Sequence, residues 1–435
     1  MRPEQSDPGV QTRLHSGSAG KSPEVRSSTA ALIPIYGVTL IDVLGTMIMV
    51  PLLPYLAQHY GANGLTVGTI LTTSAVAGTL AAPFWGSVSD RLGRKRIVLI
   101  AQSVSLVGYV LLALSHSLAL VFVARAIAGF GAGGIGVTQS YIADVTADED
   151  RDRAYALFGA VFGLGIVLGP VVGGSLIRFG FAIPFACAAT IQAVTIVLTL
   201  RFLPATTPVA GAKASLRAAA ALVVRSSAVR SLVVRHLLFI FAVTYFFTVF
   251  SLFLKRQLGV GPEVSSWLLA GAGAVGGITL VVVVGPLAKR FGDAAIAQAG
   301  LALLVVAYTA LAYAHELWIF GAALGVWAIG AASVEPTLTA MLSKRAPPEE
   351  RGAIMGFNDA ASNLALIVAP VLGGEAIDLS PQLVGVIPAA AAFLALAIGI
   401  ALRRDSPAGG RGDVENVPLL RDSRKRSARK KTDQR

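Results

Sequence analysis

Long apolar segments separated by short polar or charged connections repeat along most of the chain. Each segment has about the 20 residues that an α-helix needs to cross the hydrocarbon core of a bilayer. The pattern predicts twelve spans, numbered 1 to 12, near residues 31–56, 65–85, 97–114, 118–143, 154–177, 183–202, 236–254, 264–287, 293–313, 318–342, 354–377 and 383–402. The predicted fold class is therefore an all-α membrane protein with twelve transmembrane helices.

Hydropathy weakens between spans 6 and 7, where basic residues interrupt a stretch rich in Ala, Leu and Val. This pattern predicts a cytoplasmic central linker over 203–235 that contains an amphipathic interfacial helix. A Ser-, Pro- and Gly-rich stretch predicts a disordered cytoplasmic leader over 1–30, and a basic cytoplasmic tail is expected over 403–435. The spans then fall into two six-helix bundles, 31–202 and 236–402.

An internal repeat at an offset of 200 residues relates the two halves. The sequence DEDR at 148–151 leads into GPVVGG at 169–174, and PEER at 348–351 leads into APVLGG at 369–374. A weaker echo relates GSVSDRLG at 86–93 to GPLAKRFG at 285–292, where Lys289 occupies the position of Asp90. Internal repeats of this kind indicate two pseudo-symmetric bundles with a binding site at their interface.

Charge sets the expected orientation. The connections after spans 1, 3, 5, 7, 9 and 11 contain only Arg178, Lys255 and Arg256 as basic residues, whereas every other connection is basic. The positive-inside rule therefore places both termini in the cytoplasm. A bacterial inner or other plasma membrane is favoured, with an organelle membrane as the alternative. Because the net charge of +12 resides in these clusters and the tail, nucleic acid is not an expected partner.

The composition and the cysteine count exclude several classes of protein and of site. The chain is 54% hydrophobic and 14% charged, which is outside the range of soluble domains. Its single cysteine, Cys187, excludes an intrachain disulfide and a Cys-based metal site. No nucleophile triad, metal-ligand cluster or phosphate-binding loop occurs in the sequence, so neither enzymatic activity nor a cofactor is expected. The expected partners are a small-molecule substrate, protons and the lipid bilayer, and the expected state is a monomer.

The basic segment GSVSDRLGRKR at 86–96, between spans 2 and 3, carries the most specific motif. Its spacing G-x-x-x-D-R-x-G-R-K resembles the signature loop of the major facilitator superfamily of secondary transporters. The resemblance implies that the carboxylate ending span 2 faces the N-terminal dipole of span 11 and helps to close the cytoplasmic side. The residues assigned to this latch are Gly86, Asp90, Arg91, Gly93, Arg94, Asp144 and Asp359. Alternatives are topogenic charge for Arg91 and complementation of its own helix dipole for Asp359.

Further motifs resemble the tetracycline and multidrug proton antiporters of that superfamily: DVLG at 42–45, PLLP at 51–54, RAIAG at 125–129 and YIAD at 141–144. A glycine motif in span 5, associated with exporters in that family, comprises Gly165, Gly169, Pro170, Gly173 and Gly174. Its alternative reading is close helix packing without bearing on the direction of transport. Span 3 carries Gly108 where tetracycline exporters have an aspartate, and the apolar run of span 9 after its first residue has no acid, which argues against tetracycline itself as the substrate.

Asp42 lies about a dozen residues into an otherwise apolar span. Such a carboxylate must face the bundle interior, where desolvation favours its neutral form, so it can bind and release a proton. Arg125 of span 4 lies at a comparable depth and is expected to pair with Asp42 directly or through water; the resemblance assigns it to proton transfer. Glu335 of span 10 is the third proton-coupling candidate. Each of the three has a purely structural role as its alternative.

Gln139, Asn358 and Asn363 are expected to line the substrate cavity, because apolar walls with a few polar groups suit amphipathic compounds. The sequence thus predicts proton-coupled efflux of amphipathic or hydrophobic small molecules by alternating access. One alternative is a proton-coupled importer or facilitator of a metabolite. A second, from a different class, is a non-transporting membrane receptor with the same fold.

Overall fold

The computed structural model describes residues 29–146, 150–204, 216–347 and 350–405. Throughout these ranges the regular structure is helical. The predicted tail beyond 405, the leader up to 28 and the linker portion 205–215 lie outside the described residues, as do 147–149 and 348–349 of the repeated motif.

Twelve helices in the described part of the chain are long and apolar enough to cross a membrane, which confirms the predicted fold class. The N-terminal six are span 1 (Thr29–Met49, continuing as Leu53–His59), span 2 (Gly64–Leu92), span 3 (Arg94–Ala113), span 4 (Leu118–Ala132 and Ile135–Val145), span 5 (Arg151–Leu176, then a 3-10 turn Ile177–Phe179) and span 6 (Ala182–Phe202).

A short helix, Leu216–Arg225, which we call the linker helix, precedes the C-terminal six. These are span 7 (Ser227–Leu258), span 8 (Pro262–Ile278, a π-helical turn Thr279–Val284 and Gly285–Phe291), span 9 (Asp293–Ala312), span 10 (Leu317–Arg345), span 11 (Arg351–Leu379) and span 12 (Leu383–Asp405). Span 7 therefore begins well before the predicted residue 236, because its helix continues through polar residues outside the apolar core.

The segment 86–96 is also more helical than predicted. Span 2 extends to Leu92 and span 3 begins at Arg94, so only Gly93 breaks the helices, at φ 91°. Gly292 occupies the same place between spans 8 and 9, at φ 82°. Both residues adopt a positive φ that glycine tolerates and other residues rarely do, so the weak sequence echo between these segments corresponds to the same backbone turn in both halves.

The packing of the helices follows the repeat. In the N-terminal half, span 1 packs against spans 5 and 6, span 3 against spans 4 and 6, and span 2 against span 4. In the C-terminal half, span 7 packs against spans 11 and 12, span 9 against spans 10 and 12, and span 8 against span 10. Each N-terminal pairing has its counterpart six spans later, as expected for two pseudo-symmetric six-helix bundles.

The most extensive contacts between the bundles join span 2 with span 11 and span 5 with span 8. We call the side on which span 1 begins and span 12 ends the termini side, and the opposite side the far side. Polar contacts between the bundles lie in the far-side half: the Thr72 hydroxyl donates to the Ile367 carbonyl at 2.8 Å, and the Tyr55 hydroxyl donates to the Val260 carbonyl at 2.9 Å. The bundles are thus held together on the far side.

The linker helix belongs to the C-terminal bundle, since it packs against spans 7 and 11. Val223 is buried on its inner side, whereas the next residue, Val224, is largely exposed. Arg230 of span 7 fastens its end by donating to the Val224 carbonyl at 2.6 Å. One face of this predicted amphipathic helix therefore packs against protein.

Candidate functional site

A cavity of about 610 Å³ lies between the two bundles; we call it the central cavity. Spans 1, 2, 4, 7 and 11 form its wall, which is mostly apolar and includes Leu71, Ile135, Phe247 and Leu366. Its polar side chains are Thr46, Ser74, Thr79, Arg125, Gln139, Thr244, Thr248, Asp359 and Asn363. A volume of this size and an apolar wall with few polar groups suit a drug-sized ligand.

Gln139 and Asn363 line the central cavity, but Asn358 does not. Asn358 is only 2% exposed and lies against span 7, where its amide nitrogen is 3.0 Å from Nδ1 of His236. The prediction that Asn358 and Asn363 both face the substrate was wrong for a geometric reason. Five residues along an α-helix rotate the side-chain direction by about 140° at 3.6 residues per turn, so one helix face does not hold both.

A second cavity of about 110 Å³ lies inside the N-terminal bundle, among spans 1, 3, 4 and 5; we call it the small cavity. Asp42 lies on its wall, where the apolar interior of span 1 meets polar side chains of span 3. The polar wall residues are Asp42, Thr46, Gln102, Ser105, Tyr109 and Thr138. The predicted intramembrane carboxylate therefore faces a polar pocket within its own bundle.

Arg125 lies on the wall of the central cavity, and its guanidinium donates to the Ser74 hydroxyl at 3.0 Å. Asp42 and Arg125 were expected to pair directly or through water, and among the described residues no direct ion pair joins them. Tyr109 lies within electrostatic range of both charges, and its hydroxyl is 2.9 Å from that of Thr46. Sequence reasoning missed Tyr109, although a phenol in the middle of an apolar span next to Gly108 is a detectable polar signal.

The span 5 glycines hold that helix against span 1, next to Asp42. A Cβ at Gly173 would lie 2.7 Å from the Ile48 carbonyl oxygen, and one at Gly165 would lie 2.7 Å from the Val43 side chain. Gly169 faces Met47 in the same way, whereas Gly174 faces Ser266 of span 8. Pro170 lies inside the helix. The motif therefore sets both the contact between spans 5 and 1 and the contact between the bundles.

The predicted latch residues meet each other within the N-terminal half. Arg94 lies 2.6 Å from Asp90 and 3.0 Å from Asp144, and it donates to the Ser89 hydroxyl at 2.5 Å. Gly93 makes the turn, Arg91 is exposed, and the backbone at Gly86 faces open space. Arg94 is buried, but the Asp90 side chain is 47% exposed.

The structure does not contain the predicted contact between this group and span 11: among the described residues, no hydrogen bond or ion pair joins Asp90 to that helix. Asp359 is likewise not part of the group, since it lies on the central cavity wall. Span 11 begins at Arg351, so Asp359 is two helical turns beyond the N-terminus and too far along to complement the dipole there. Glu335 is exposed and is not on the wall of either cavity.

A cluster on the far side escaped sequence analysis. Asp378, at the end of span 11, accepts hydrogen bonds from the backbone N–H groups of Gly64 and Leu65 at 3.0 Å each and lies 2.7 Å from Arg256. One carboxylate of the C-terminal bundle thus caps the first turn of span 2 in the other bundle. Arg256 is one of the few basic residues on the far side, and that rarity was the available signal.

Within the described residues, no group of three or more His, Cys, Asp or Glu side chains is arranged to hold a metal ion. Of the residues assigned above to protons and substrate, Asp42 lines the small cavity, whereas Arg125, Gln139 and Asn363 line the central cavity.

Comparison with known proteins supports this architecture. The Major Facilitator Superfamily family model matches residues 35–254 and 232–431. The class C tetracycline resistance protein of Escherichia coli is 28% identical, covering 79% of this chain and 89% of the relative. The quinolone resistance protein NorA of Staphylococcus aureus (strain COL) is 23% identical, covering 77% of this chain and 87% of the relative.

Solved structures share the fold. The nucleoside transporter NupG (D323A mutant) is similar with a TM-score of 0.71 at 14% identity, covering 86% of this chain and 99% of that protein. The human organic anion transporter MFSD10 gives a TM-score of 0.64 at 20% identity, covering 87% of this chain and 100% of that protein. Because the family model matches both halves and the helices pack as two repeated bundles, the chain belongs to the Major Facilitator Superfamily of membrane transporters.

Proposed function

We propose that this transporter exports amphipathic or hydrophobic small molecules in exchange for protons by alternating access. One observation carries the proposal: within one bundle, Asp42 lines the small cavity and Arg125 lines the central cavity, and Thr46, which is hydrogen-bonded to Tyr109, lies on the walls of both. A protonatable group is thus coupled to the wall that a substrate would touch. The names of the relatives, which describe resistance to tetracycline and to quinolones, favour export.

The central cavity supports the proposed substrate class. Its wall is mostly apolar, and its two charged side chains, Arg125 and Asp359, have opposite sign and belong to different bundles. A ligand with an apolar body and a cationic or zwitterionic head finds a counter-charge on one wall or both. Asn363 and Gln139 offer hydrogen bonds that would orient such a ligand.

In the proposed cycle, Asp42 is the proton carrier. When Asp42 is charged, it attracts the guanidinium of Arg125 in the same bundle; when Asp42 is protonated, that attraction ends. Because an uncompensated charge in a low-dielectric site is costly, each protonation state favours a different arrangement of Arg125. Glu335 is retained as a second candidate proton site, outside the two cavities.

The proposed alternation uses the contacts between the bundles. Positive-inside charge makes the termini side cytoplasmic, so the far-side contacts of spans 2 and 11 would close the protein toward the outside. The half-exposed side chain of Asp90 supports a termini side that is open in this state. We propose that Asp90, Arg94 and Asp144 engage span 11 in the opposite state, in a protein that acts as a monomer in the bacterial inner membrane.

Proteoliposomes containing the full chain test this function. With an imposed pH gradient, tetraphenylphosphonium, a fluoroquinolone and tetracycline are offered separately, and we expect uncoupler-sensitive accumulation of the first two.

Asp42→Asn should keep exchange of labelled for unlabelled substrate but lose gradient-driven accumulation. Asp293→Asn, which changes an acid paired with the exposed Lys344 and on the wall of neither cavity, serves as the control. Accumulation by Asp42→Asn at the wild-type rate would transfer the carrier role to Glu335; movement of every compound without response to pH would refute proton coupling.

A further inference from the structure

The small cavity and the central cavity share part of their walls. Thr46, Ala132 and Ile135 line both of them. Tyr109 lines the small cavity only, is 3% exposed and hydrogen-bonds to Thr46 at 2.9 Å. The Thr46–Tyr109 pair therefore forms a polar part of the partition, with Asp42 on one side and Arg125 on the other.

The chemistry of the small cavity suits water. Its volume of about 110 Å³ exceeds the space that a single buried water needs, and a buried water makes about three hydrogen bonds. Six polar side chains on the wall supply those partners. Gln102 lines this cavity and is 7% exposed, and its buried Oε1 has no hydrogen-bond partner among the described residues. Buried polar atoms are rarely left unsatisfied, so this oxygen points to an occupant that donates a hydrogen bond.

We propose that the small cavity is a water-filled chamber through which Asp42 exchanges its proton, and that the Thr46–Tyr109 pair separates this chamber from the substrate in the central cavity. The inference deepens the function proposed above and rests on it. In the loading step, a hydronium ion in the chamber transfers a proton to a carboxylate oxygen of Asp42, leaving a neutral carboxyl group and a water molecule. Release is the reverse step.

Because the groups around Asp42 do not supply its proton, the water in the chamber is the proton source. Span 5 presents glycines to span 1, and span 6 presents the uncharged Gln192 beside the carboxyl group. The titratable or charged neighbours are Tyr109 of span 3 and, beyond it, Arg125 of span 4. With this division, a substrate that fills the central cavity does not block proton access to Asp42, and the two ligands interact through Tyr109 and Arg125.

X-ray radiolytic footprinting of the full chain in lipid nanodiscs tests the chamber without any substrate. Bound water near a buried side chain promotes its oxidation, so Tyr109 should be modified at least fivefold faster than Tyr245. Tyr245 is the matched control, because it is fully buried, hydrogen-bonded to the Leu383 carbonyl and on the wall of neither cavity. Equal rates for the two tyrosines would overturn the proposal.

Exchange at Asp42 tests the function of the chamber. The carboxyl band of Asp42, assigned by its loss in Asp42→Asn, is followed by infrared spectroscopy after transfer to deuterated water. Gln102→Leu keeps the side-chain size and Thr138→Val is nearly isosteric; each should slow deuteration of the band at least tenfold. Ser103→Ala, on the exposed face of span 3, should not. A band with wild-type exchange in both chamber variants would overturn the chamber alone, whereas the absence of any protonated band at Asp42 would refute Asp42 as the carrier.

Discussion

Asp378 and Arg256 form an ion pair at 2.7 Å on the far side, and the same carboxylate caps the first turn of span 2. The carboxylate belongs to span 11, whereas the helix that it caps belongs to the other bundle. The cap therefore exists only while the bundles are together on this side. Aspartate at a helix N-terminus is stabilised by both the free N–H groups and the helix dipole. The cluster is therefore a specific stabiliser of the far-side-closed state.

Asp378→Asn should shift the protein toward the far-side-open state. Hydrogen bonds to charged groups contribute about 1.5–3 kcal/mol, and 1.4 kcal/mol is a factor of ten in population. We expect a shift of about tenfold or more. Spin labels at His116→Cys and Tyr313→Cys, in far-side connections of opposite bundles, report the change by pulsed electron resonance in a Cys187→Ser background. Unchanged label distances would contradict this role, and Asp293→Asn provides the control.

Asp90→Asn should reduce transport severalfold while leaving the thermal stability of the protein nearly unchanged. The Asp90 side chain is 47% exposed in this state, and exposed ion pairs contribute only about 0–1 kcal/mol. Its proposed contact with span 11 belongs to the other state, so the loss should appear in turnover. Transport in proteoliposomes and a melting curve of the purified variant measure the two effects.

The repeat supplies the matched control for Asp90, because Lys289 occupies the corresponding position in the C-terminal half. Lys289→Ala should leave transport close to the wild-type rate. An equal loss in the two variants would show that the latch was assigned to the wrong half.

Tyr109→Phe should uncouple substrate movement from the proton gradient. The substitution removes the hydroxyl that bonds Thr46 and lies near both charges, but it keeps the ring that fills the partition. We expect gradient-driven accumulation to fall about tenfold, equivalent to about 1.4 kcal/mol, with substrate exchange and apparent affinity retained. Tyr313→Phe, at an exposed far-side tyrosine, is the control. A parallel loss of exchange would indicate a structural role for Tyr109.

Gly173→Ala should destabilise the protein. The added Cβ would lie 2.7 Å from the Ile48 carbonyl oxygen, so spans 5 and 1 must separate. Overpacking of this kind costs about 1–3 kcal/mol. Gly163→Ala, in the same helix but facing open space, should instead be neutral or stabilising by up to about 1 kcal/mol. Differential scanning fluorimetry of both variants measures the contrast, and equal melting temperatures would refute the packing role.

Hydropathy predicted the number and order of the spans because crossing a bilayer requires long apolar helices. It did not predict where the helices end, as the early start of span 7 at Ser227 and the helical segment up to Leu92 illustrate. The apolar run of each span ends where the hydrocarbon core of the bilayer ends, but the backbone hydrogen bonds of the helix continue beyond that point into water. Apolar composition therefore marks the membrane core and not the ends of the helices.

The site was only partly predictable for a different reason. Intramembrane charges such as Asp42 and Arg125 are conspicuous in an apolar sequence, whereas Tyr109 carries no charge, and its single hydroxyl is a weaker signal that was overlooked. Asp378 bonds to a backbone group 314 residues away in the chain. Such a contact leaves no local pattern, since its partners are N–H groups that every helix possesses.

Spans 2 and 11 form a pair with a carboxylate at opposite ends. On the far side, span 11 supplies Asp378 to the first turn of span 2; on the termini side, span 2 ends near Asp90, which the proposed cycle offers to the first turn of span 11. The contacts at the two ends of this helix pair cannot form together if the helices rock about their midpoint. The pair then behaves as a toggle, and the state that is populated depends on the difference in free energy between the two end contacts. Substitutions at either end would bias the toggle, and hence the preferred access state, without altering a single residue on the substrate wall.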